Sequence, residues 1–131
     1  MLKKKNDISA QNFDTLIGKN ATFQGTFKST GLLRIDGKFE GDIDVNGDII
    51  IGQDGIIIGN AKAVNIEISG TVEGNVFCSE RLKICSTGKL IGDIEVGSFV
   101  VEEKGLFDGK CKMKNEVLKL KTEDSKKIKA I

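Results

Sequence analysis

A short unit, with an apolar residue two positions before a glycine and another two positions after it, recurs six times and constrains the fold more than any other feature of this chain. The copies are Phe23-Gln24-Gly25-Thr26-Phe27, Phe39-Glu40-Gly41-Asp42-Ile43, Ile57-Ile58-Gly59-Asn60-Ala61, Val72-Glu73-Gly74-Asn75-Val76, Leu90-Ile91-Gly92-Asp93-Ile94 and Phe107-Asp108-Gly109-Lys110-Cys111. Their glycines lie 16, 18, 15, 18 and 17 residues apart. Such a period marks a repeat architecture, in which each unit is too small to bury its own apolar face and must stack on its neighbours.

An alternating element precedes each copy, as Thr15/Ile17, Leu33/Ile35, Ile49/Ile51, Ile66/Ile68, Leu82/Ile84 and Phe99/Val101. Side chains alternate across a strand, so apolar residues spaced by two share one face. The polar residues between them, among them Lys38, Glu40, Asp42, Asp44, Lys83 and Glu95, then face water. A further inward position behind each copy holds Ser29, Val45, Ala63, Cys78, Val96 and Met113, small or adaptable side chains suited to a tight corner. Three short strands with a glycine corner predict one turn of a three-sided parallel β-solenoid, and about six turns stacked every ~4.8 Å give a length of roughly 29 Å. β-Branched residues and repeated glycines between Thr15 and Met113 argue against helix. A β-sandwich would not keep six copies in column register. The predicted layout is a solenoid over 15–114 between flexible segments 1–14 and 115–131.

Composition narrows the chemistry. Twenty Lys+Arg against 19 Asp+Glu leave a net charge of +1, without the basic footprint of a nucleic-acid binder. His, Trp and Tyr are absent, which removes the commonest general base, a favoured metal ligand and most stacking platforms for bases. Cys78, Cys85 and Cys111 are odd in number and lack paired C-x-x-C spacing, so they are read as reduced packing residues. The glycines form neither G-x-x-x-x-G-K-[ST] nor G-x-G-x-x-G, and are read as backbone bends rather than a phosphate cradle. Asp36, Asp42, Asp44, Asp48, Asp54 and Asp93 lie singly at strand ends, which predicts solvated corners rather than a calcium ladder. No run of 18 apolar residues and no secretory signal is present, so a cytoplasmic location is expected. No cofactor, metal or nucleotide is expected.

Two solenoid classes compete. Left-handed hexapeptide-repeat acyltransferases suit the six-residue steps Ile51, Ile57, Ala63, but the step falls to four from Ile35 to Phe39 and from Ile68 to Val72, and the usual histidine base is missing. The segments L-R-I-D-G-K-F-E-G-D-I at 33–43, I-S-G-T-V-E-G-N-V at 68–76 and G-L-F-D-G-K-C-K-M at 105–113 resemble the bactofilins, and the resemblance covers about 15–113. It implies an all-β, right-handed parallel β-helix that polymerises end to end without nucleotide. The implied product is a membrane-associated bacterial filament, without polarity, that scaffolds cell-wall and cell-shape factors. Family tails are often Pro-rich and this chain has no proline, so partners of the tail transfer least.

Polymerisation also follows from the repeat itself. A solenoid has two open ends, each with unpaired N–H and C=O groups and a slice of apolar core. The flanking segments offer no convincing capping helix, while the terminal turns carry Phe23 and Phe27 at one end and Phe99, Val101 and Phe107 at the other. These five residues are the candidate polymerisation interface; the competing reading is that each Phe fills a wide core layer. Met1 and Leu2 followed by Lys3, Lys4 and Lys5 form a candidate membrane contact. Each Lys near anionic lipid contributes about 1 kcal/mol and an inserted Leu or Met roughly 1.5–3 kcal/mol, a weak attachment that a filament multiplies by avidity. The competing reading is a solvated leader. The Lys-rich segment after residue 116 is read first as a spacer, then as a partner-docking strip, then as a second lipid contact. The expected partners are thus copies of the same chain, the inner face of the cytoplasmic membrane and cell-wall synthesis or hydrolysis proteins. A passive adaptor of small, fixed oligomeric state is the remaining alternative.

Overall fold

A computed structural model describes residues 13–113. The expectations for Met1, Leu2, Lys3, Lys4 and Lys5 and for 115–131 lie outside the described residues. The described residues form eleven strands and no helix: β1 Thr15–Ile17, β2 Thr22–Ile35, β3 Lys38–Ile51, β4 Ile56–Ile58, β5 Ala61–Ile68, β6 Thr71–Glu73, β7 Val76–Ile84, β8 Lys89–Ile91, β9 Ile94–Val101, β10 Leu106–Asp108 and β11 Cys111–Met113. Every pairing is parallel and joins each turn to the next. Six turns result, with three faces. The first stacks 15–17, 33–35, 49–51, 66–68, 82–84 and 99–101. The second stacks 22–24, 38–40, 56–58, 71–73, 89–91 and 106–108. The third runs from Phe27 and Ser29 up to Cys111 and Met113.

The predicted columns are the observed ones. Phe23 lies over Phe39, Phe39 over Ile57, Ile57 over Val72, Val72 over Leu90 and Leu90 over Phe107. In the first two turns the strands are longer than the repeat suggests, because β2 and β3 each carry 14 residues around the glycine corner without losing the ladder. The irregular period is absorbed at two corners: between the first and second faces, and between the third and first, where Ala63 to Ile66 and Val96 to Phe99 are one residue shorter than Val45 to Ile49 and the ladder shifts register. Each six-residue step holds a turn closed by one backbone hydrogen bond: Ala21 N–H to Gly18 O, Gly55 to Gly52, Gly88 to Cys85 and Gly105 to Glu102, at 2.8–2.9 Å. The four-residue steps, at Asp36-Gly37 and Ser69-Gly70, are simple bends. A turn is thus inserted or omitted at the first of these corners and a single residue at the other, while the inward columns stay aligned.

The corner between the second and third faces requires glycine. Gly25, Gly41, Gly59, Gly74, Gly92 and Gly109 have φ from +132° to +157°, where a Cβ is strongly disfavoured. From Gly41 upward a Cβ would also overlap the carbonyl oxygen of the glycine one turn below, whereas at Gly25 the nearest atom is the Phe23 ring at 3.8 Å. The residue after each glycine builds a second ladder. The N–H of Asn75 donates to Asn60 Oδ1 (3.1 Å), that of Asp93 to Asn75 Oδ1 (3.2 Å) and that of Lys110 to Asp93 Oδ1 (3.1 Å). Several of the corner aspartates therefore have structural partners: Asp36 pairs with Arg34, Asp54 with Lys19, and Asp48 accepts from the Asn65 amide.

The core is a continuous apolar column from Ile17 to Cys111. Cys78 and Cys111 are buried within it and free, and burial pushes both thiols up to about 11; Cys85 is half-buried. The Cys78 thiol donates to the carbonyls of Val64 and Arg81. A disulfide reagent at neutral pH is therefore expected to titrate Cys85 rapidly, with Cys78 and Cys111 released only by denaturant. Three equally fast thiols in the native protein would contradict this packing.

Candidate self-association ends

The two terminal turns hold the sequence-predicted interface residues, Phe23 and Phe27 in the first and Phe99, Val101 and Phe107 in the last. Among the described residues, each of these strands is paired on one side only. β1 and the first half of β2 pair only upward, and 99–101, β10 and β11 pair only downward. Their outer N–H and C=O groups make three short edges at each end, the configuration that recruits another strand. Burial changes along the same axis. Inner-layer column residues such as Leu33, Ile57, Leu82 and Leu90 are fully buried, whereas Phe23, Phe27, Phe99, Val101 and Met113 pack against the core with part of each side chain exposed.

The ends differ in chemistry. At the first turn the Phe23 ring stacks on Phe39 (centroids 4.8 Å apart, planes 12° apart) and meets Phe27 edge-on at 5.9 Å. At the last turn Phe99 meets Phe107 edge-on at 5.2 Å. Phe107 itself is only 3% exposed, so it forms the floor of that end and the accessible surface belongs to Phe99, Val101 and Met113. An arginine at 107 would test folding; one at 99 or 27 tests the end.

Sequence reasoning missed three features of these ends. Phe39, in the second layer, completes the aromatic cluster of the first end. Asp14 extends the pairing of β1 with β2 by one residue, since its N–H donates to the Leu32 carbonyl and its carboxylate accepts from the Leu32 N–H, each at 2.8 Å. The amide ladder stops at Lys110, which offers no side-chain acceptor to a further turn. That signal was present in the residues following the glycines, where four of six are Asn or Asp. Among the described residues no group of three or more His, Cys, Asp or Glu could hold a metal ion, and no helix is long and apolar enough to cross a membrane.

Comparison with known proteins agrees with this geometry. The family model described as bactofilin, polymer-forming cytoskeletal, matches residues 15–112. Bactofilin BacP of Myxococcus xanthus (strain DK1622) is 25% identical over 114 residues, which cover 86% of this chain and 48% of BacP. Bactofilin BacO of the same organism is 24% identical over 76% of this chain and 79% of its own. The chain thus spans about half the length of BacP. The bactofilin in a cryo-EM reconstruction of double helical filaments from Thermus thermophilus superposes with a TM-score of 0.71 at 23% identity, over 74% of this chain and 96% of that one. With a six-turn parallel β-solenoid and a family match across residues 15–112, this chain belongs to the bactofilins, the polymer-forming cytoskeletal family.

Proposed function

We propose that this chain is a non-enzymatic scaffold subunit that assembles end to end, without nucleotide, into filaments at the inner face of the cytoplasmic membrane, where they position cell-wall and cell-shape factors. The observation that carries the reading is the pair of terminal turns, each with three strand edges unpaired among the described residues, over half-buried apolar side chains. A joint there pairs terminal strands edge to edge at the same ~4.8 Å step, antiparallel where like ends meet, and needs no energy source beyond burial. Like ends meet in this reading. An unlike-end joint would place the first turn on Lys110, where the amide ladder finds no acceptor, and Lys28 over Lys112 in one column. Two alternating two-fold contacts follow, and the filament has no direction. The solved relative is a double helical filament, and pairing of two filaments belongs to the same reading.

Negative-stain microscopy of the nucleotide-free protein over a concentration series is expected to show filaments above a threshold. Discrete trimers would revive an acyltransferase, and a small oligomer independent of concentration would favour an adaptor. Met1 to Lys5 supply the lipid contact in this proposal. Deletion of residues 2–5 is expected to release assembled protein from anionic vesicles in a flotation assay, and unchanged flotation would remove that part of the reading.

A further inference from the structure

The second face differs from the other two in how its strands point. Its short strands direct one residue inward and two outward, as in the exposed–buried–exposed pattern of β4, β8 and β10, so it presents two parallel columns to solvent. Among the described residues, four of the seven large exposed apolar side chains lie on this face: Ile56 (39%), Ile58 (41%), Ile91 (37%) and Leu106 (53%). Clustering on one flat sheet, rather than scatter, marks a contact surface.

Charge divides the two columns. The first reads Thr22, Lys38, Ile56, Thr71, Lys89 and Leu106, basic or neutral throughout. The second reads Gln24, Glu40, Ile58, Glu73, Ile91 and Asp108, acidic or neutral throughout. Lys38 and Glu40 pair within one turn at 3.0 Å, while Lys89, Glu73 and Asp108 take part in none of the ion pairs among the described residues.

We propose that this face is the lateral contact between two filaments, formed with the same face of a second copy of this chain about a two-fold axis parallel to the solenoid axis. The inference rests on end-to-end assembly. A two-fold along the axis sets the first column of one copy against the second column of the other: Lys38 opposite Glu40, Ile56 opposite Ile58, Lys89 opposite Ile91 and flanked by Glu73 and Asp108, with Leu106 opposite Asp108 as the one mismatched layer. A two-fold across the axis, centred between the third and fourth turns, keeps each column against itself and brings Lys38 towards Lys89 and Ile58 against Glu73. Complementarity therefore selects the first arrangement.

The size of the face explains when it acts. Six layers at ~4.8 Å and two columns about 7 Å apart make a strip of roughly 200 Å² per subunit, well below the ~800 Å² per partner of a stable interface. Single subunits do not pair through it. Along a filament the strip repeats at every subunit, and avidity makes pairing follow polymerisation.

The test compares filament width for the parent and two variants by electron microscopy, with sedimentation reporting the polymerised fraction. Ile58→Asp with Ile91→Asp is expected to give single filaments of about half the paired width, with the sedimented fraction unchanged. Lys38→Glu with Lys89→Glu is expected to do the same, and adding Glu40→Lys, Glu73→Lys and Asp108→Lys to it restores pairing, because both columns have then exchanged sign. Paired filaments of parental width in both unpairing variants would overturn the proposed face. A parent forming only single filaments would overturn lateral pairing while leaving end-to-end assembly intact; a parent forming no filaments would overturn both.

Discussion

An alanine at Gly59 is expected to lower the stability of the solenoid by about 2–6 kcal/mol, a large share of the ~5–15 kcal/mol that holds a domain folded. Two effects add. At φ +143° a side chain costs about 1–3 kcal/mol in backbone strain, and the new Cβ overlaps the Gly41 carbonyl oxygen, which forces the stacked turns apart at a further ~1–3 kcal/mol. Gly25→Ala separates the two. It has the strain, at φ +132°, but no turn beneath it among the described residues. Urea unfolding followed by circular dichroism should therefore show a much smaller loss for Gly25→Ala than for Gly59→Ala. Equal losses would mean that the stack of glycines is not what the corner demands.

Arginine at Phe27 or Phe99 is expected to leave the monomer folded and to raise the concentration needed for filaments by roughly 10²- to 10⁴-fold. A Phe-sized side chain withdrawn from burial costs about 1.5–3 kcal/mol, and a two-fold joint contains it twice, so the loss is about 3–6 kcal/mol per joint. The product of each variant also reports how the ends meet. With like ends in contact, Phe27→Arg leaves the last-turn joint intact and accumulates dimers, and Phe99→Arg leaves the first-turn joint. With unlike ends in contact, either variant accumulates monomers. Analytical ultracentrifugation distinguishes the two, and the ladder that stops at Lys110 predicts dimers.

The fold was legible because the solenoid is written in columns. A glycine with apolar neighbours two positions away on each side states both the corner and the strands it joins, and six copies leave one way to stack them. Residues fixed by contact within a column, such as Ile57 or Leu90, were therefore placed correctly. The ends were legible as turns but not as surfaces. Phe99 and Phe107 are indistinguishable by pattern, yet one is half-buried and the other closed off, because burial depends on neighbours across the turn rather than along the chain. The outward columns of the second face were overlooked for a related reason. Alternation identifies what points inward, and Ile56, Ile58 and Ile91 look like part of continuous apolar runs until the register shows which of them faces water.

Fibre diffraction from oriented filaments tests the central claim most directly, that assembly continues the fold through its terminal turns. End-to-end joining sets the strand stacking along the filament, which predicts a reflection near ~4.8 Å on or close to the meridian and an axial subunit rise of roughly 29 Å. The same ~4.8 Å reflection on the equator would mean that the solenoids lie across the filament and join through their faces, which contradicts assembly through the terminal turns.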